Sequence, residues 1–157
     1  MNSAVGLLAE FPSGAWFDAL VEDVHCHAEE YERLGFADCR LALEVIDSSG
    51  KARWFGLVLN GYDIRSEGEL ADLDSFAPDV VLSGARSIWE EMLANIVEHR
   101  GADRSHTLNA LSIAGFPLTT RSPDPMGRDK FYRYAETIQR LFDSAWRLAV
   151  TGDQPVG

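Results

Sequence analysis

Hydrophobic and polar residues are arranged along the chain in patterns that predict both strands and helices. The clearest pattern covers residues 78–97, where a short apolar run turns at Ser83-Gly84 into a helical repeat. A brief apolar run bounded by Pro and Gly is typical of a strand buried on both faces. The repeat predicts one hydrophobic helix face, made of Ile88, Trp89, Met92, Leu93, Ile96 and Val97. Either a protein core or a hydrophobic ligand must cover that face.

The N-terminal part of the chain predicts an arm followed by one helix. Residues 1–14 carry a small apolar patch and end in Pro12-Ser13-Gly14, so we expect an arm on the body of the protein. Residues 15–34 repeat apolar side chains at helical spacing, and Gly35 is a natural stop.

Three antiparallel strands are predicted between this helix and residue 66. The middle strand has apolar side chains on both sides, which is typical of a central strand. Asn60-Gly61 is typical of a two-residue hairpin turn. The predicted strands are residues 40–47, 52–59 and 62–66, and an acidic connector, 67–77, follows them.

The C-terminal third predicts a short helix, a last strand and a long helix. Its final apolar stripe repeats at helical spacing and contains Phe131, Tyr134, Ile138, Leu141, Phe142 and Leu148. The predicted elements are residues 108–113, 118–122 and 128–150, and a polar tail, 151–157, ends the chain. The expected domain organisation is therefore a single domain, with an arm (1–14), a body (15–150) and a frayed tail.

Charge and composition exclude several classes of function. The formal net charge is −11, so we expect no nucleic acid partner and no anionic membrane partner. No apolar run reaches the roughly 18–20 residues of a membrane span, and residues 1–11 do not form a signal peptide. Cys26 and Cys39 lack CxxC spacing. These observations predict a cytoplasmic protein with reduced thiols.

Two polar clusters resemble catalytic or metal-binding motifs. His25 and His27 lie two residues apart, so on a helix they point about 200° apart and cannot share a metal ion. Asp103, Ser105 and His106 lie in one polar loop, but sequence proximity is weak support for a catalytic triad. No glycine-rich nucleotide-binding motif occurs. We therefore expect neither a metal nor a cofactor.

Aromatic and methionine side chains form the remaining group of candidate functional residues. For each of them a place in an ordinary core is the simpler interpretation. Together they predict an apolar cavity between sheet and helices, since flat rings and flexible Met side chains suit a variable apolar ligand. The candidate ligand-binding residues are Trp54, Phe55, Trp89, Met92, Leu93, Ile96, Phe116, Phe131, Tyr134 and Phe142.

The order of elements resembles the sterol carrier protein type two family of lipid-binding domains. The resemblance covers about residues 40–142. It is carried by Ala77-Pro78-Asp79-Val80-Val81-Leu82-Ser83, then Ile88-Trp89 and Met92-Leu93, and by the closing order of helix, edge strand and tail helix. It implies an α+β fold with a five-stranded mixed, mainly antiparallel sheet, covered by helices over an apolar tunnel.

The resulting expectation is a non-enzymatic protein that binds or carries a lipid, fatty acyl or sterol-like molecule. Residues 98–133 hold six basic against four acidic residues, so the candidates for meeting an anionic headgroup are Arg100, Arg104 and Arg121. One alternative is an accessory protein that docks on an enzyme or on itself. Another is a small enzyme that acts on an apolar substrate through His99 or His106.

Overall fold

A five-stranded mixed sheet forms the centre of the molecule. The computed structural model describes residues 10–113 and 117–153, with side chains as far as residue 149. The strands are β1 (Ala37–Ile46), β2 (Ala52–Gly61), β3 (Asp63–Leu70), β4 (Val80–Ala85) and β5 (Thr119–Arg121). Their spatial order is β3-β2-β1-β4-β5. Only β1 and β4 pair in parallel among the described strands. The predicted α+β fold class is confirmed.

Helices lie on both sides of this sheet but cover them very unequally. They are α1 (Gly14–Cys26), α2 (Ala28–Leu34), α3 (Leu73–Phe76), α4 (Arg86–His99), α5 (Leu108–Ser112), α6 (Pro125–Arg133), α7 (Ala135–Asp143) and α8 (Ala145–Asp153). Side chains from α1, α2, α4, α5, α6, α7 and α8 share one core with the sheet. We call the sheet face that they cover the inner face. The short helix α3 places Phe76 on the opposite, outer face.

The two long predicted helices are present in shorter segments. Residues 15–34 form α1 and α2, with a break at His27, whose ψ of 38° departs from helical geometry. Ala28 is consequently exposed instead of continuing the predicted apolar face. The C-terminal helix is divided at Tyr134 and Ser144. At the second break the Ser144 hydroxyl donates to the carbonyl of Leu141 at 2.6 Å, a side-chain bond that bends helices.

The first three strands are longer than predicted, whereas β5 is shorter than the predicted strand 118–122. Asn60 pairs with Asp63, so the turn lies at Gly61-Tyr62, one residue later than predicted. Gly61 has a φ of 75°, which glycine adopts at little cost. β3 continues through Leu70 into the predicted acidic connector because its backbone pairs with β2 there. The added residues of this edge strand are mostly polar, so the hydrophobic pattern did not predict them as part of the strand.

Asp79 joins three elements at the start of β4. Its carboxylate accepts a hydrogen bond from the backbone N–H of Arg40 at 2.8 Å and lies 3.4 Å from Nζ of Lys130. A Cβ atom added to Gly127 would lie 1.9 Å from the carbonyl oxygen of Asp79. Glycine at this position therefore lets α6 approach the sheet closely.

Candidate functional site

The core between sheet and helices brings together most of the predicted ligand-binding residues. Each of seven candidates is at most 3% exposed, and all seven belong to one continuous hydrophobic cluster. Alternation along β2 turns Phe55 to the inner face, and the helical repeat of α4 turns its apolar side chains to the same space. The seven are Phe55, Trp89, Met92, Leu93, Ile96, Phe131 and Phe142.

Trp89 lies at the centre of this core. Helix α4 begins directly after β4, which places Trp89 within the first turn of the helix and above β1. Its indole N–H donates to the backbone carbonyl of Glu44 at 3.2 Å. Its ring centroid lies 6.1 Å from that of Phe142 on α7. Trp89 therefore connects the sheet to the C-terminal helices through one hydrogen bond and one aromatic contact.

Three other candidates have different positions. Trp54 faces the outer side of the sheet, where its N–H donates to the carboxylate of Glu44 at 2.6 Å. It cannot line a space on the inner face, since neighbouring strand residues point to opposite sides. Tyr134 is half-buried against the inner core. Phe116 lies outside the described residues.

Two polar groups in the inner core lack hydrogen bonds, and the sequence patterns did not single them out. The indole N–H of Trp16 and the hydroxyl of Tyr31 have no partner among the described residues. Trp16 is fully buried between Phe11 and Phe17, with centroid distances of 4.9 and 4.8 Å. Burial raises the pKa of Tyr31 to about 12, and the nearby Ser144 hydroxyl opposes this effect only in part, since it donates to the carbonyl of Leu141 at 2.6 Å. An unmet buried polar group costs about 1–3 kcal/mol, so both mark places where an added oxygen atom would be stabilised.

The larger clefts formed by the described residues lie away from this core. One of about 660 Å³ and one of about 600 Å³ share Arg121, Ser122 and Pro123 at the end of β5. The second of them also reaches Val81 on the outer face. Neither cleft is lined by any of the seven core candidates. The seven core candidates are buried in one cluster, and the apolar tunnel stays a prediction.

The headgroup candidates are also distributed differently from the prediction. Arg121 lies on the outer face and binds the buried Glu44 carboxylate through two hydrogen bonds of 3.0 Å. Ser83 and Trp54 donate to the same carboxylate at 2.6 Å. These bonds, led by that of Arg121, lower the pKa of Glu44 to about 2. Arg121 is therefore separated by the sheet from any ligand in the inner core.

Arg100 and Arg104 are both exposed beyond the end of α4. The guanidinium of Arg100 lies 4.9 Å from the ring centroid of Trp146, whose ring is partly buried against the inner core. This contact gives Arg100 a connection to the core through an aromatic side chain. Arg100 and Arg104 remain predictions as headgroup contacts.

The polar loop after α4 does not have the geometry of a catalytic triad. Nδ1 of His106 faces both Asp103, at 2.7 Å, and the Ser105 hydroxyl, at 3.2 Å. Nε2 of His106 instead faces Glu91 at 3.1 Å. In a triad the nucleophile and the carboxylate occupy opposite nitrogens of the histidine. This cluster fastens the loop to α4. Nδ1 of His99 lies 3.0 Å from the carbonyl oxygen of Asn95, one turn earlier in the same helix.

Neither a metal-ligand cluster nor a membrane-spanning helix occurs in the described ranges. Residues 10–113 and 117–153 contain no group of three His, Cys, Asp or Glu side chains placed to hold a metal ion. Within the same part of the chain, no helix is both long and apolar enough to cross a bilayer.

Comparison with solved structures identifies the fold. A crystal structure of sterol carrier protein 2 superposes with a TM-score of 0.61 and 17% sequence identity, covering 87% of this chain and 98% of the other. The chain has the sterol carrier protein 2 fold. A conserved hypothetical protein from Thermus thermophilus, described as a candidate sterol carrier protein, gives a TM-score of 0.54 at 19% identity, over 94% of this chain and 93% of its own. No protein-family model matches the sequence, and no curated protein matches it.

Proposed function

We propose that this protein binds or carries a hydrophobic small molecule between the inner face of its sheet and the covering helices. The observation that carries the proposal is the inner core, which contains aromatic and Met side chains together with two buried polar groups that have no partner in the described part of the chain. An apolar ligand with one or two oxygen atoms matches that combination. Fatty acyl and sterol-like molecules belong to this chemical class. The fold shared with sterol carrier protein 2 supports the same proposal.

A filled core is the state that we expect of such a protein without ligand. An empty cavity costs about 24 cal/mol per Å³, so a ligand-sized void of ~300 Å³ would cost ~7 kcal/mol. That is comparable to the whole stability of a domain. The side chains around Trp89 and Met92 therefore close on one another, and a ligand must separate them as it binds.

A methionine in the inner core can report whether a ligand binds there. Of its three methionines, Met92 is fully buried in the inner core, whereas Met126 is 71% exposed on α6. We would label the methionine methyl groups with ¹³C and add a medium-chain fatty acid, its alcohol or a sterol. The methyl signal of Met92 is expected to shift on binding, and that of Met126 is expected to stay in place as an internal control.

Stability measurements provide a second readout. A ligand at about 100 times its Kd stabilises the folded state by about 2.7 kcal/mol, which corresponds to a rise in Tm of about 5–10 °C for a chain of this size. Mass spectrometry of freshly purified and then denatured protein would detect a ligand that copurifies with it. A constant Tm and an unmoved Met92 signal across the panel would contradict the proposal.

A further inference from the structure

Two exposed aromatic side chains contact each other at one end of the sheet. Phe36 is 63% exposed and Tyr62 is 57% exposed, and their ring centroids lie 6.2 Å apart at an angle of 88°. Phe36 directly precedes β1, and Tyr62 occupies the turn between β2 and β3. Ala37 pairs with Gly61, so both rings extend from the same end. We call this pair the aromatic tip.

The aromatic tip stands over the seam between the sheet and the helices. A narrow recess of about 10 Å³ opens there, wide enough for one water molecule. The sheet contributes Ala37, Leu59 and Ile64 to its walls, and the helices contribute Tyr31 and Thr137. Tyr62 lines the same recess. Four of its lining residues, Tyr31, Ala37, Leu59 and Ile64, belong to the inner core.

The charges beside the aromatic tip indicate what it contacts. Asp63 follows Tyr62, and Asp38 lies two residues after Phe36; their side chains are 65% and 67% exposed. Asp38 lies 3.7 Å from Nζ of Lys130, which offsets part of its charge, and Asp63 lies 2.9 Å from Nε2 of His25. Exposed aromatic faces beside carboxylates suit a quaternary ammonium group. An anionic surface would be repelled by the same carboxylates and by the net charge of −11.

We propose that the aromatic tip docks on the surface of a phosphatidylcholine bilayer. The choline groups lie against the ring faces and the two carboxylates, while the rings enter the boundary between headgroups and acyl chains, where aromatic side chains are stable. Docking in this orientation brings the seam to the membrane, where a hydrophobic ligand enters or leaves. The exchange of ligand rests on the function proposed above, whereas the docking is measurable without any ligand.

Vesicle flotation with the full chain tests the docking. We would compare wild type, the double variant Phe36→Ala/Tyr62→Ala and the control Ile113→Ala/Met126→Ala on phosphatidylcholine vesicles. The control removes two side chains that are 73% and 71% exposed elsewhere on the surface. Wild type and control are expected to bind alike, and the tip variant about tenfold more weakly, since it loses two large apolar side chains. Wild type that does not float, or a tip variant that floats equally well, would overturn the proposal.

Two further measurements identify what the aromatic tip binds. Vesicles of phosphatidylglycerol are expected to bind wild type less than phosphatidylcholine vesicles do, and equal or tighter binding would overturn the role of choline. Light scattering separates docking from self-association. A wild-type dimer that becomes a monomer in the tip variant, together with no flotation, would assign the aromatic tip to contact with a second copy of the chain and overturn the proposal.

The same variants separate this inference from the proposed function. In the tip variant, the Met92 methyl signal is expected to respond to a dissolved ligand as it does in wild type. Transfer of that ligand between vesicles is expected to slow about tenfold. Transfer at the wild-type rate would contradict the membrane role of the aromatic tip even if the ligand binds. If wild-type protein binds no ligand, the proposed function is wrong. The flotation experiment would still test whether the aromatic tip binds the membrane.

Discussion

The two faces of the sheet differ in how they bury their side chains. On the inner face, side chains from seven of the described helices form one apolar cluster that includes Trp89. The outer face carries only a small cluster under α3, beside a buried carboxylate, within the described residues. On the outer face Glu44 accepts hydrogen bonds from Ser83, Trp54 and Arg121. In the inner core, Trp16 and Tyr31 have none within the described ranges.

This difference lies in how far each face satisfies its own buried polar groups. A buried charge is tolerated only when its hydrogen bonds are made, and the Glu44 cluster meets that condition by itself. The inner core buries its apolar side chains but leaves two polar groups without hydrogen-bond partners among the described residues, at a cost of about 1–3 kcal/mol each. A ligand that brings an oxygen atom would remove part of that cost. The outer face offers no comparable gain.

The largest effect is expected from emptying the centre of the inner core. Trp89→Ala removes a fully buried indole and leaves the Glu44 carbonyl without its donor, so we expect a loss of about 3–5 kcal/mol in the free energy of unfolding. Urea denaturation followed by circular dichroism measures it.

The matched substitution on the outer face is Phe76→Ala. Phe76 is 5% exposed in the small cluster. Its loss is expected to cost less than that of Trp89, because solvent can reach the emptied site. Equal costs for Trp89→Ala and Phe76→Ala would contradict the view that the inner core carries most of the stability.

An intermediate effect is expected from the Glu44–Arg121 pair, and it depends on pH. The pKa of Glu44 is lowered from 4.5 to about 2. Its contribution to stability is therefore complete above pH 4.5 and is lost as the pH falls toward 2. The shift corresponds to at most about 3 kcal/mol, of which about 2 kcal/mol would be lost by about pH 3. Urea unfolding of wild type and of Glu44→Gln at about pH 6 and about pH 3 measures this loss as a difference, because other carboxylates such as Asp103 and Glu69 also have lowered pKa values.

Arg121→Ala isolates the role of the guanidinium. The variant is expected to be less stable than wild type at about pH 6, by about 1–3 kcal/mol, and to lose less on acidification, because the pKa of Glu44 rises without its strongest partner. Arg65→Ala is the control, since it breaks an exposed pair with Glu67 and should change stability by less than about 0.5 kcal/mol. An unchanged acid loss in Arg121→Ala would show that Ser83 and Trp54 alone set the pKa of Glu44.

The sequence predicts the inner face better than the outer face for a physical reason. Period-two alternation in β1 and β2 and the helical repeat of α4 place Phe55, Trp89 and Met92 correctly, because apolar burial needs only a periodic pattern. The strand order was expected from a family resemblance. The Glu44 cluster was not predicted, since its partners lie 10 to 77 residues away along the chain. A charged residue in an alternating strand looks like an ordinary solvent-facing position.

Local backbone geometry accounts for the other differences. The breaks at His27 and Tyr134 have no Pro or Gly to indicate them, and apolar periodicity continues across both. The unpaired N–H of Trp16 also escapes a pattern-based prediction, because hydrogen-bond partners are known only once the neighbouring elements are placed. Trp16 simply appears as another core aromatic in the sequence.

The smallest effect is expected at Trp16 and bears most directly on the contrast between the faces. Trp16→Phe keeps an aromatic ring but removes an N–H that has no partner in the described part of the chain. The smaller ring makes fewer contacts, but the variant no longer buries a donor without a partner, and the two effects oppose each other. The free energy of unfolding of the ligand-free variant should therefore lie within about 1 kcal/mol of that of wild type. Trp54→Phe makes the same chemical change on the outer face, where the N–H is bound to Glu44 at 2.6 Å. That control is expected to cost about 1–3 kcal/mol, since it leaves a buried carboxylate short of a donor. Equal losses in urea unfolding would mean that the Trp16 N–H is already paired, and the inner core would then have one less reason to take up a ligand oxygen.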